Sequence, residues 1–533
     1  MDAAIVMNLI SSDKDRTVMR KNALWALFLI LFILIPGFVS CEKKTAVSDT
    51  SDAISVEDLR RHMEYIASAE TEGRMTASPG YQKAADYVVK HFRSFGLEPG
   101  WREGNGERTY YQPVPFVRYR YGDNNFISIG AEGETEMLAK GQNNYEIFSP
   151  GKGSVDIPPG NPVFVGYGIH EPDLGWDDFE GLNIKDQLVI LIAGFPNNPN
   201  RGPKIPAEVR QKYRNRRNGD SRRFLNVVEK GAAAVITIPD RNIVNNWDRI
   251  MAGRRRTSLV PAESYASSDS GETPIPTILL HANLVDRVFA DMDFNPITYE
   301  GEYKPMVMKG IALGLSVDVH KETIDCHNVI GIIPGTDPEL NDESITVGAH
   351  LDHLGRDGEV IYYGANDNAS SCVLILEVAE ALANNPLKCP VVFILFTAEE
   401  IGHFGSLHYV AHPAVPHEQV RLNINLEQIG ARTRTVDGIW AIGPASEREA
   451  FLAVRENVPG SEAGFDDIQS QVPVISGSDT LSFYQKELPA IILGSSGFPE
   501  HHQPSDNVDL IDYDHLCKAS LFVKAYIQNL ANQ

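Results

Sequence analysis

The chain has 533 residues, too many for one ordinary domain, so two large units are expected. With 43% hydrophobic and 22% charged residues, its composition is that of a soluble globular protein rather than a disordered or fibrous one. Its formal net charge of -23 argues against nucleic acid as a general partner.

The N-terminal stretch reads as an address rather than as part of the fold. Arg20 and Lys21 precede an apolar run from Ala23 to Val39, broken by Pro36-Gly37. A charged n-region before an h-region too short for a spanning helix marks a secretory signal. A start at Met19 would give a signal of more ordinary length. The run ends Phe38-Val39-Ser40-Cys41, and a small residue before Cys resembles a bacterial lipoprotein cleavage site. By that resemblance residues 1–41 are the signal, Cys41 carries lipid, and 42–54 is a tether. The protein would then be exported and held in the cell envelope through a lipid on Cys41. The other cysteines, Cys326, Cys372, Cys389 and Cys517, show no CxxC spacing. They argue against a thiolate zinc site and read as buried free thiols, with one disulfide open.

Ser55-Val-Glu-Asp58 has the form of a helix start, and Val56, Leu59, Met63 and Ile66 follow at helical spacing. A second helix fits Tyr81 to Phe95, with Gly96 as its stop. Glu72-Gly-Arg74 lies between them as a polar loop, and Tyr110 to Tyr121 alternates like a strand. From about 145 the pattern changes. Strands are expected at 161–168, 186–194, 231–238 and 275–280, separated by Pro- and Arg-rich loops. The basic runs Arg214 to Arg223 and Arg254 to Arg256 read as solvated loops. Residues 141–300 are read as an inserted domain between 55–140 and 301–533. Beyond it, 310–319 and 328–333 are strand-like.

The stretch from 344 to 402 organises the rest. Ser344 to Ala349 and Val391 to Phe396 are short apolar runs of the kind buried on both faces of a sheet. The first is followed by His350-Leu-Asp352-His353, the second by Thr397-Ala-Glu399-Glu400. Gly364-Ala-Asn-Asp367-Asn leads into an apolar helix at 371–384. Two more strands, 421–427 and 489–494, end at Glu427 and before Glu500-His501-His502-Gln-Pro-Ser-Asp506. A closing helix spans Asp514 to Asn529. Strands alternating with helices argue an α/β fold with a mostly parallel sheet. Ligands bind outside the carboxyl ends of such strands. His and carboxylate groups just past four of these ends therefore point to a metal-dependent active site. Asp352 could orient His350 or itself be a ligand. Asp367 could bridge two cations through its two oxygens. Glu399-Glu400 offers one carboxylate for metal and one for proton transfer.

His350-x-Asp352, Gly364-Ala-Asn-Asp367-Asn, Glu399-Glu400, Asn425-x-Glu427 and His502-Gln-Pro-Ser-Asp506 together resemble the di-zinc aminopeptidases of the aminopeptidase Y and bacterial leucyl aminopeptidase type. That family includes relatives of glutamate carboxypeptidase II. The resemblance covers about 55–140 and 301–533. The insertion resembles a protease-associated domain through Val163-Phe-Val-Gly-Tyr-Gly168, the strand 186–194 and Gly231-Ala-Ala-Ala234. The resemblance implies a zinc-exopeptidase-like sheet flanked by helices, with a smaller β-rich insertion. It implies two zinc ions bridged by Asp367, one completed by His350 and Glu427, the other by Glu400 and His502. Asp352 would orient His350, and Glu399 would be the general base.

Two departures stand out. Glu427 occupies a position where the family usually has Asp, and His501 stands where many relatives carry Tyr. His501 is thereby a candidate for polarising the substrate, and an alternative to His502 as ligand. Ser478 and Asp479, in Gly477-Ser-Asp-Thr480, are candidates for a substrate-side wall. The expected activity is removal of N-terminal residues from short peptides. A glutamate carboxypeptidase-like or dipeptidase activity is the nearest rival, and a catalytically dead surface binding protein is the rival of another class.

Overall fold

The computed structural model describes residues 54–532 except 132, 142–143, 195–204, 214–215, 249, 252–258, 263–274, 291, 293, 299, 302–303, 432–438, 459–464, 470–476 and 495–497. The signal, Cys41, the tether up to 53 and the run Arg254 to Arg256 lie outside the described residues. Among the described residues no helix is long and apolar enough to cross a membrane.

Helix α1 (Val56–Ile66) begins where the sequence places it, because the Ser55 hydroxyl accepts the Asp58 N–H at 3.0 Å. Helix α2 (Pro79–Phe95) starts two residues earlier than expected. Ser78 caps it through the Tyr81 N–H, and Pro79 fits the first turn, where its missing N–H costs nothing. Gly96, at φ 85°, closes it in the left-handed region.

The main sheet uses strands β1 (Tyr111–Tyr121), β2 (Val319–Ile333), β3 (Ser344–His350), β4 (Val391–Phe396), β5 (Val420–Glu427), β6 (Ile439–Ile442), β7 (Phe465–Gln469) and β8 (Ala490–Gly494). Their spatial order is β1-β2-β4-β3-β5-β8-β6-β7. The four central strands β4, β3, β5 and β8 are parallel, while β2 joins β4 and β6 joins β8 antiparallel. Register brings the functional ends level: His350 pairs with Phe396, and Glu427 with Gly494.

Helix α3 (Ser370–Ala383) follows the Asp367 loop and is buried almost all round. It packs on α1, α2, β3 and the closing helix α6 (Tyr513–Ala531), forming the centre of the main core. Helices α4 (Phe404–Ala411) and α5 (Thr480–Gln485) pack together on the other face with Phe396, Tyr409 and Phe483.

Strand β2 is longer than the sequence suggests. Its first half pairs with β1 from Val319–Tyr121 onward, although His320, Lys321, Thr323 and Asp325 are exposed. With neither face fully buried, no apolar alternation marks it.

Among the described residues the inserted part contains two larger sheets. One runs 306–307, 163–164, 188–192, 234–238, 276–280 and 145–150, with four parallel strands at its centre. The other is antiparallel and joins 134–139, 126–131, 312–317 and 155–160. Both feed one core containing Ile127, Ile147, Ile236 and Leu315. The expected limits of 141 and 300 are therefore too narrow, since strands on either side of them pair into this unit. A short piece, Leu259–Pro261, instead extends the main sheet beside β1. The basic run 214–223, expected as a loop, lies largely in the helix Arg216–Glu229. Val227 fixes that helix to Val189 and Val235. Buried Arg223 donates to the carbonyls of Tyr167 and Ile192. Clustered charge masked its apolar face.

Candidate metal centre

The carboxyl ends of β3, β4, β5 and β8 converge on the carboxylate of Asp367. His350 ends β3 and is buried, with Nε2 3.3 Å from Asp367 Oδ1 and 3.1 Å from Glu427 Oε1. On the other side His502 Nε2 lies 3.3 Å from Asp367 Oδ2 and 3.1 Å from Glu400 Oε2. His501 Nε2 is also 3.3 Å from Asp367 Oδ2, and its ring stacks on that of His502 at 3.9 Å. The five expected ligands, His350, Asp367, Glu400, Glu427 and His502, thus surround one small space.

The loop that carries Asp367 is pinned from both sides. Asp506 accepts the N–H groups of Asn366 and Asp367 at 2.8 and 3.1 Å. The Asn366 side chain accepts from Gly430 and Ala431, and Asn368 bonds Leu426 and Gln428. Both flanking asparagines therefore lash the loop to the end of β5, which sets Asp367 beside Glu427. The Asp367–Asn368 peptide is cis. Arg74, expected in a polar loop, is instead fully buried. It donates to the carbonyls of Ile66, Leu351, Tyr363 and Gly364, tying the turn after β3 to the Asp367 loop.

The donor set fits metal ions. Bonds of about 2.0–2.2 Å place neighbouring donors of a tetrahedral ion roughly 3.3–3.6 Å apart. The N···O edges on both sides of Asp367 lie close to that, at 3.1–3.3 Å. Asp367 Oδ2 and Glu427 Oε2 are buried without a well-formed hydrogen bond among the described residues, as oxygens reserved for a cation would be.

Charge tells the same story. Burial alone would raise Asp367, but the imidazoles of His350, His501 and His502 hold it well below the usual carboxylate range. Burial would lower His502, yet Asp367 and Glu400 push it up to about 10. His350 is likewise held well above its usual value, burial being outweighed by Glu399, Glu427 and Asp367. Imidazolium protons thus balance the crowded carboxylates, and an incoming cation must displace them. Both histidines have raised values, so they hold protons at neutral pH and release them when metal binds. Zinc binding at about pH 7 is expected to release protons and to weaken as pH falls. Calorimetry in buffers of different ionisation enthalpy measures the count, and a count of zero would contradict this account.

Glu399 belongs to neither edge set. Its Oε1 meets His403 Nε2 at 3.1 Å, and its Oε2 lies 3.9 Å from His350 Nε2. Burial and the neighbouring carboxylates Glu400, Glu427 and Asp367 hold it well above the usual range, against the pull of His350. It is thus suited to hold a proton.

Residues 328–527 match the sequence model of Peptidase family M28. That stretch is similar to the peptidases of that family. The chain is 26% identical over 171 residues to aminopeptidase YwaD of Bacillus subtilis, covering 31% of this chain and 37% of that protein. It is 25% identical over 377 residues to an aminopeptidase of Pseudomonas aeruginosa, covering 69% of this chain and 56% of that one. The chain thus spans less than two thirds of the length of these relatives. In fold it is similar to the aminopeptidase of Aneurinibacillus sp. strain AM-1, with a TM-score of 0.56 at 18% identity, over 91% of this chain and 95% of that one.

Within the centre some expected roles shift. Asp352 does not hold His350 with its carboxylate, which lies 3.9 Å from His350 Nδ1. Its backbone carbonyl does so, at 3.0 Å. The carboxylate instead accepts the Glu399 N–H at 3.1 Å and the Thr76 hydroxyl at 2.9 Å, so Asp352 fixes the turn bearing the two glutamates. Ser478 and Asp479 do not form an exposed wall, because both are buried. Ser478 accepts from Asn425 on β5, and burial pushes Asp479 up to about 8. His353 and His403 were not singled out by sequence. His353 Nδ1 lies 2.6 Å from Glu400 Oε1. Its place directly after Asp352 was the only signal for it. His403 lies four residues past Glu399 in the turn before α4, a spacing that by itself says only that the two are near.

Proposed function

We propose that the chain is a zinc-dependent exopeptidase, an aminopeptidase that releases N-terminal residues from short peptides. The observation that carries this reading is a carboxylate, Asp367, shared by two donor sets, with a carboxylate outside both sets beside them. Mixed imidazole and carboxylate donors at tetrahedral spacing suit zinc. His350, Asp367 and Glu427 would hold one ion, and Asp367, Glu400 and His502 the other. The ions would supply Lewis acidity to the scissile carbonyl and to the attacking water.

The remaining work falls to side chains of this chain. Glu399 accepts the proton of the attacking water and returns it to the leaving amine. Asp352 and His403 keep that carboxylate in place, one through the backbone and one through Oε1. His501 is 46% exposed at the side chain, which leaves its ring open to substrate. Its N–H can stabilise the developing oxyanion, at the position where many members of the resembled family carry a tyrosine.

Purified chain loaded with zinc should release the chromophore from aminoacyl anilides with a free α-amine. N-acetylated acidic dipeptides should stay intact. Cleavage of the acetylated dipeptides alone would show the carboxypeptidase activity instead. Inertness toward both, with metal bound, would leave a binding protein.

A further inference from the structure

We infer that His353 is a positioning residue for the second ion: it holds Glu400 through a proton and does not itself bind metal. The inference rests on the proposed two-ion centre and deepens it. His353 is buried at the turn after β3, and its backbone N–H donates to the Arg74 carbonyl at 3.2 Å. Its ring lies against Gly364, where a Cβ would come within 2.4 Å of it. Gly364 has φ 57°, so both its backbone and the ring beside it favour glycine there.

Distance separates a ligand from a partner. Donors that share a tetrahedral ion stand roughly 3.3 Å or more apart. His502 meets Glu400 Oε2 at 3.1 Å and Asp367 Oδ2 at 3.3 Å, near that edge. His353 Nδ1 is 2.6 Å from the other oxygen, Glu400 Oε1, which is the length of a charge-assisted hydrogen bond. Its distance to Asp367 Oδ2 is 3.8 Å. The second nitrogen agrees. His353 Nε2 is buried and has no hydrogen-bond partner among the described residues. A metal on Nδ1 would force the ring proton onto Nε2 and strand a buried donor, whereas ligating imidazoles almost always donate that proton. With the proton on Nδ1, Glu400 Oε1 is occupied and Oε2 is turned toward His502 and the ion.

Asparagine tests this, because its side-chain amide can put an N–H near the place of Nδ1 but is a poor zinc ligand. Zinc affinities of the full chain would be measured by chelator competition, with the cobalt spectrum as a second readout. His353→Ala should weaken the second equivalent by about 10–100-fold and leave the first unchanged. His353→Asn should recover most of that loss. If wild type binds two ions and both variants lose the second equally, the imidazole is a ligand and the inference fails. Unchanged affinities in His353→Ala would overturn it as well. A wild-type protein that binds fewer than two ions overturns the two-ion reading and this inference with it.

Discussion

Glu399→Gln is expected to lower kcat by about 10²–10⁴ while zinc content stays at the wild-type level. The magnitude is that of losing a positioned proton acceptor. Metal should survive because Glu399 lies outside both donor sets, with His350 Nε2 at 3.9 Å against 3.1–3.3 Å for the ligand edges. Glutamine keeps the shape and can still bond His403, so the turn after β4 should hold. KM should change far less than kcat, since the proton moves in the transition state and not on binding. Steady-state kinetics with metal analysis on the same sample measures both. Full activity in this variant would remove Glu399 from the mechanism; loss of zinc would make it a ligand.

Asp367→Ala should abolish activity more completely than Glu399→Gln, because it strips both donor sets at once. His350 and Glu427 would remain on one side, Glu400 and His502 on the other, two donors each. Bound zinc should fall well below two equivalents after dialysis. Stability offers an independent readout. A ligand present at about 1,000 times its Kd stabilises the folded state by roughly 4 kcal/mol. Wild type should therefore show a rise in Tm on adding zinc that the variant lacks. Without metal the variant should be less stable than wild type at neutral pH, since the imidazoles of His350 and His502 lose the carboxylate that they hold well below its usual range. A variant that retains two ions would mean that Asp367 does not bridge them.

Much of the fold was legible because it follows from local rules. The central strands β3, β4 and β8 are mostly apolar runs, as strands covered on both faces must be. Helices α1 and α2 carry their own caps at Ser55, Ser78 and Gly96. What escaped were elements whose stabilising contacts are distant. The first half of β2 is held by pairing to β1 rather than by its own pattern. The helix at 216–229 reads as a run of charge in the sequence, and its apolar packing at Val227 emerges only in the folded chain. The limits of the insertion depend on strands at 126–139 and 312–317, nearly two hundred positions apart, which pair only in the folded chain.

The site divides in the same way. By itself the sequence determined which groups stand at the strand ends, since parallel strands deliver whatever follows them to one edge of the sheet. His350, Asp352, Asp367, the pair Glu399-Glu400, Glu427 and the pair His501-His502 were therefore readable as candidates, and the family resemblance singled out His350, Asp367, Glu400, Glu427 and His502 among them. Only the tertiary structure decided which atom faces which. It turned the Asp352 carboxylate to Glu399, gave His353 to Glu400, and buried Arg74 among four carbonyls. Periodicity specifies the face a side chain takes, whereas a hydrogen bond depends on sub-ångström placement and angle, which side-chain packing across the whole core sets.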